Sequence, residues 1–161
     1  MKKKFYSIII PIKNQEKTVQ NNLIRLIRKL KKIKFLANWE IILVDDGSTD
    51  KTVNSILRFK TKYKNIKLVK NLKNRGKGYS IKNGIRFLNK KSEKVITIDA
   101  DMPYMDTFNK FILNLKDNDL VILNRKNKNI KLINNNKNFY IYYRIFVGYF
   151  LNLIFRIFKL T

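Results

Sequence analysis

The chain has 161 residues, of which 45% are hydrophobic, enough for one domain with a sizeable core rather than a disordered polymer. It contains neither cysteine nor histidine, which excludes disulfides, thiolate or imidazole metal sites, a Ser-His-Asp triad and histidine acid–base chemistry. With 36 Lys and Arg against 11 Asp and Glu, its net charge of +25 favours anionic partners such as nucleic acid, acidic lipid or phosphorylated substrates, although AT-rich coding would also enrich Lys, Asn and Ile together.

Met1-Lys2-Lys3-Lys4 leads into five or six apolar residues before Lys13, too few for a signal peptide, and a cytoplasmic setting is expected. Phe5 to Ile12 is a β-branched run containing Pro11 and reads as a first strand. Asn14 and Thr18 precede an amphipathic stretch whose apolar positions, Val19, Leu23, Leu26, Ile27 and Leu30, follow helical spacing. Glu40 to Val44 is a second strand, ending in Asp45-Asp46-Gly47-Ser48-Thr49-Asp50. Ser48, Thr49 or Asp50 can cap the helix that follows, with Val53, Ile56 and Leu57 expected on one face.

Ile66 to Val69 is a short third strand, followed by Asn74-Arg75-Gly76-Lys77-Gly78 as a flexible basic loop and a helix over roughly Tyr79 to Leu88. Val95-Ile96-Thr97-Ile98 reads as a fully buried strand that ends in Asp99-Ala100-Asp101. A helix near Thr107 to Leu115, a strand at Leu120 to Leu123 and an Asn/Lys-dominated exposed loop over 124–138 complete the body. Alternating strands and helices predict a three-layer α/β/α fold on a mainly parallel sheet, whose ligands gather beyond the carboxyl ends of the strands. The loops at Asp45, Arg75 and Asp99 all fall at that edge.

Two carboxylates at the end of a buried strand are costly unless they face water or a cation. In an extended chain Asp99 and Asp101 share a face, and hard oxygen ligands in that pattern suit Mg2+ or Mn2+ together with substrate phosphates. Arg75-Gly76-Lys77-Gly78 can wrap phosphates with backbone N–H groups and a cation, but it does not match a P-loop. Asp45-Asp46-Gly47-Ser48 reads either as a nucleoside contact or as a tight turn with a helix cap. In a helix over Tyr140 to Leu160, Arg144, Gly148, Asn152, Arg156 and Lys159 fall within about a 120° arc. That helix is too interrupted by charge to span a membrane and suits either the membrane interface or packing against protein.

In order, Ser7 to Glu16 (SIIIPIKNQE), Val44 to Asp50 (VDDGSTD), Gly76-Lys77-Gly78 and Asp99-Ala100-Asp101 resemble the family 2 glycosyltransferases. Lys82-Asn83-Gly84-Ile85 and Asp119 to Arg125 (DLVILNR), with Arg144 and Asn152, sharpen the likeness to the polyprenyl-phosphate (dolichyl- or undecaprenyl-phosphate) glucosyl- and mannosyltransferases. The resemblance implies a GT-A fold over residues 1–138, a C-terminal amphipathic helix over 139–161 and a metal-dependent, inverting transfer of a hexose. The donor would be UDP-glucose or GDP-mannose, and the acceptor a polyprenyl phosphate.

By position, the resemblance puts Pro11, Asn14, Gln15 and Asp45 or Asp46 at the nucleoside. It puts Gly76, Lys77, Asp99, Ala100, Asp101 and Arg125 at the diphosphate, with Asp99 and Asp101 holding Mg2+ or Mn2+ and serving catalysis.

Three departures stand out: Lys13-Asn14-Gln15 replaces the family's Tyr-Asn-Glu, Pro103 stands where a glutamine is expected, and Thr161 precedes the family's acidic acceptor-side segment. The chain is therefore expected to be truncated, completed by a partner segment or a second copy, or a degenerate homologue. Peripheral contact with the cytoplasmic membrane face is expected, and nucleic acid is not. The rival readings are a transferase acting on a cell-surface saccharide and a basic nucleic-acid-binding module, but nucleic-acid binding explains neither acidic pair.

Overall fold

The protein is described by a computed structural model over residues 4–33, 35–36, 38–103, 105–117 and 121. Strand β1 (Phe5–Ile12) leads to helix α1 (Val19–Lys32), β2 (Asn38–Asp45), α2 (Thr52–Lys60), β3 (Ile66–Lys70), α3 (Lys77–Ile85), β4 (Ser92–Thr97), a 3-10 turn (Met105–Thr107) and α4 (Phe108–Asp117). The four strands form one sheet in the order β3-β2-β1-β4, every pair parallel. The expected strand at 120–123 apart from Val121, the 124–138 loop, Arg125, the boundary at 138/139 and the helix over 140–160 lie outside the described residues.

Period-two alternation divides the sheet residues between two helical layers. Ile8, Ile10, Ile12, Ile41, Leu43 and Ile96 face α1, α2 and α4 through Leu23, Leu26, Ile56, Phe59, Phe108 and Ile112. Ile9, Ile42, Val44 and Val69 form the opposite face, and α3 lies on it. Gly84 permits that approach: a Cβ there would stand 2.7 Å from Ile9 Cγ2 and 3.0 Å from Val44 Cγ2. Ile8, Ile9 and Ile10 are all wholly buried. At about 1.5–3 kcal/mol per buried side chain, this central strand anchors both layers.

Helix α1 buries Val19, Leu23, Leu26, Ile27 and Leu30, the predicted stripe, and ends in Lys29, Lys31 and Lys32, which suit the negative end of its dipole. Elsewhere the structure corrects the expectations. Helix α2 buries Thr52, Ile56 and Phe59, while Leu57 is 45% exposed, because the helix rests on its 52/56/59 edge. Helix α3 begins at Lys77, so Lys77 and Gly78 form its first turn instead of a flexible loop. Strand β4 is not fully buried: Ile96 is covered, but Val95 is 43% exposed, since α3 lies over β1 and β2 and, among the described residues, β4 ends the sheet with its second face open.

The chain crosses from β1 to β2 to β3 on one side, then returns beneath α3 to place β4 on the other side of β1. The direction of winding therefore reverses between β1 and β4, and open α/β sheets bind ligands at such a switch point. Pro11 sits there. Ile98 N–H donates to the Ile9 carbonyl at 3.0 Å, so position 11, two residues on, also turns its backbone toward β4. That strand has already ended at Thr97, and the N–H that proline lacks is not needed.

Candidate functional site

Four loops meet at the carboxyl edge, following Ile12, Asp45, Lys70 and Thr97. The first two are stitched together. Asn14 adopts φ 50°, which its short polar side chain tolerates, and its N–H donates to Ser48 Oγ at 2.9 Å. Thr49 N–H returns a bond to Asn14 Oδ1 at 2.9 Å. Gln15 N–H donates to Thr52 Oγ1 at 2.7 Å, and Gln15 Oε1 accepts from Thr18 Oγ. Glu16 N–H donates to Asp50 Oδ2 and Lys51 N–H to Glu16 Oε2, both at 3.1 Å. None of the three candidate caps for α2 holds the cap position, which falls to Lys51 because the helix starts at Thr52; Asp50, one residue earlier, accepts from Thr52 N–H at 3.0 Å.

The two adjacent acids separate in role. Asp45, at the end of β2, is 3% exposed and accepts from Ser48 N–H at 3.3 Å. Asp46 is 5% exposed and reaches across to the third loop, accepting from Arg75 N–H at 2.9 Å, Gly76 N–H at 2.8 Å and Asn71 Nδ2 at 2.8 Å. Burial alone would raise its pKa, but the donors from Arg75, Asn71, Gly76 and Ser80 outweigh it and hold the carboxyl below its usual range. Gly47 makes the crossing possible, since at φ 70° a Cβ would stand 2.7 Å from Asn74 N. Beneath Asp46, Asn71 Nδ2 also donates to Ser80 Oγ at 2.9 Å, and Asn83 Nδ2 to Asn71 Oδ1 at 2.8 Å. The sequence reading missed Asn71 and Ser80 and quoted Asn83 only within the Lys82–Ile85 run, without a role; the signal available was an Asn directly after a strand and two polar residues on the sheet-facing side of a helix.

The fourth loop is a turn. Met102 N–H donates to the Asp99 carbonyl at 2.9 Å, and Met102, at φ 48°, drops into the core at 3% exposure. The expectation that Asp99 and Asp101 share one face of an extended chain is therefore corrected: the strand ends at Thr97, and a turn presents the two carboxylates. Asn22 Nδ2 fastens this turn to α1 through the Ala100 carbonyl at 2.9 Å. Asp99 forms an ion pair with Lys77 Nζ, while Asp101 is exposed.

Among the described residues no group of three or more acidic, histidine or cysteine side chains is placed to enclose a metal. Two hard carboxylates, Asp101 exposed and Asp99 half-buried against Lys77, fit instead a divalent cation that keeps waters and takes further oxygens from a phosphate ligand. The structure thus joins Asp46 to Arg75 and Gly76, and Lys77 to Asp99, while the side-chain oxygens of Asn14 and Gln15 serve contacts within and between loops. No helix among the described residues is long and apolar enough to cross a membrane.

Residues 7–159 match the protein family described as glycosyl transferase family 2. A dolichyl-phosphate beta-glucosyltransferase of Saccharomyces cerevisiae is 36% identical over 60% of this chain and 30% of its own length. An uncharacterized protein of Methanocaldococcus jannaschii is 36% identical over 82% of this chain and 57% of its own. Among solved structures, a mannosyltransferase from Pyrobaculum calidifontis in complex with GDP-Man and Mn2+ superposes with a TM-score of 0.58 at 24% identity, covering 70% of this chain and 32% of that one, a likeness of fold. The chain spans about 30% of the length of the dolichyl-phosphate relatives it matches. With its all-parallel α/β sheet and this match over nearly its whole length, the chain belongs to glycosyl transferase family 2.

Proposed function

We propose that the carboxyl edge binds a nucleotide-diphosphate sugar and that the protein transfers its hexose, with inversion, to a polyprenyl phosphate. The observation that carries this reading is the convergence, at the switch point beside Pro11, of an acidic turn (Asp99, Asp101), a basic helix N-terminus (Lys77) and an acidic strand end (Asp45). The relatives named as dolichyl-phosphate beta-glucosyltransferases support the acceptor and the inverting outcome.

Asp46 is committed to holding the 71–76 loop, so Asp45, with Pro11 and the stitched Asn14–Gln15 loop, borders the nucleoside. Asp99 and Asp101 would hold a divalent cation, which when bound neutralises charge on the departing diphosphate. The Mn2+ and GDP-Man of the Pyrobaculum enzyme support that assignment. Lys77 adds an ammonium beside Asp99, and the first turn of α3 adds backbone N–H groups that are preorganised toward developing negative charge. A phosphate oxygen of the acceptor attacks the anomeric carbon as the bond to the diphosphate breaks, and the diphosphate leaves with the electron pair. The acceptor is already ionised, so the chain needs no general base, in keeping with the absence of histidine.

The test is transfer of labelled hexose from UDP-glucose or GDP-mannose to dolichyl or undecaprenyl phosphate. Asp101→Ala is expected to lower the rate about 100-fold or more with the fold intact. Undiminished transfer by that variant contradicts the reading.

A further inference from the structure

Helix α3 opens on a cation at the end of its dipole where cations are least favoured, and its first turn contains no acidic residue. Nor can the preceding carboxylate compensate. Asp46 is already engaged by Arg75 N–H, Gly76 N–H and Asn71, and Arg75 itself stacks its guanidinium 4.0 Å from the Tyr79 ring. The Lys77 ammonium instead reaches out of the helix to Asp99, the first carboxylate of the acidic turn. The side chains of this pair are 57% and 28% exposed, so the contact is weakly held and open to exchange with ions from solvent.

We propose that Lys77 is a built-in counter-ion for Asp99 that excludes a lone divalent cation and yields only when a diphosphate arrives to receive the ammonium. This inference rests on the donor-site reading above. A metal ion that takes the Asp99 oxygen held by Lys77 displaces the ammonium and leaves it beside the positive end of α3 without that carboxylate. A diphosphate supplies a replacement anion at the same moment as it supplies further oxygens to the metal. Metal and nucleotide binding are thereby coupled, and by linkage each strengthens the other by the same factor.

The test is titration of Mn2+ into the full chain, followed by the paramagnetic resonance signal of free Mn2+, without nucleotide and with saturating UDP or GDP. Wild type is expected to bind Mn2+ weakly alone and far more tightly with a nucleotide. In Lys77→Gln, affinity for Mn2+ alone should rise by about fivefold, as expected on removing a competing exposed ion pair, and enhancement by nucleotide should shrink. Lys77→Arg keeps the charge and should behave as wild type, a rescue that a purely structural role would not give. If wild type binds Mn2+ with nucleotide but Lys77→Gln shows no gain for Mn2+ alone, the counter-ion inference is overturned and the donor site stands. If wild type binds no Mn2+ with either nucleotide, the donor-site reading falls and takes this inference with it.

Discussion

Asp46 and Asp101 are both acids in polar loops, yet their surroundings assign them opposite costs. Asp46 is 5% exposed, and removing its carboxylate strands the N–H groups of Arg75 and Gly76 and the Asn71 amide. Asp46→Ala should therefore destabilise the protein by about 2–4 kcal/mol. Asp101 is exposed, and Asp101→Ala should change stability by less than about 0.5 kcal/mol while removing donor binding. Urea denaturation of the two variants separates these outcomes.

A related prediction concerns acid. Burial would raise the Glu40 pKa, but Lys67 Nζ at 2.8 Å, Ser7 Oγ at 2.7 Å and Asn89 N–H at 2.7 Å together lower it below its ordinary value of 4.5. Asp46 is likewise lowered from 3.8. Groups depressed in the folded state contribute stability that is present above the unfolded values and lost as pH falls through the folded ones. Stability should thus hold from neutrality to about pH 5 and decline below it. Glu40→Gln, though less stable at neutrality, should show a shallower decline in denaturation midpoints measured across pH 2–6.

At the scale of elements, α3 links the core to the site, since Gly84 seats it on Ile9 and Val44 while its first residue presents Lys77. Gly84→Ala forces a Cβ to within 2.7 Å of Ile9, so the helix must shift or the core must give. The expected cost is about 1–3 kcal/mol, and calorimetric affinity for UDP or GDP should fall with it because Lys77 moves too. Much at this scale was legible: β1 has the bounds its β-branched run indicated, and α1 buries the five residues its spacing named. What failed has physical causes. Gly76 and Gly78 read as loop because glycine breaks helices, yet only Gly76, at φ 85°, requires it. Val95 and Thr97 read as buried because β-branching is shared by covered and open strand faces, and only topology reveals that α3 leaves β4 uncovered. The Asn71–Ser80–Asn83 network pairs residues up to 12 positions apart through a fold the periodicity does not encode.

For the whole molecule, the sheet order β3-β2-β1-β4 brings Pro11, Asp45, Lys77 and Asp99 to one edge, while the net charge of +25 supplies a long-range field that draws anions toward the protein. That field predicts retention on vesicles rich in anionic lipid at low salt and release near 0.5 M NaCl, where the screening length falls to about 4 Å. Retention at high salt, measured by co-sedimentation, would instead indicate apolar insertion. The central claim is that this edge is a metal-assisted nucleotide-sugar site, and calorimetric titration of UDP-glucose and GDP-mannose, with and without Mn2+, tests it most directly. One of the two donors should bind only with Mn2+, and Asp101→Ala should lose that binding while keeping its fold; metal-independent binding, or none, would contradict the account.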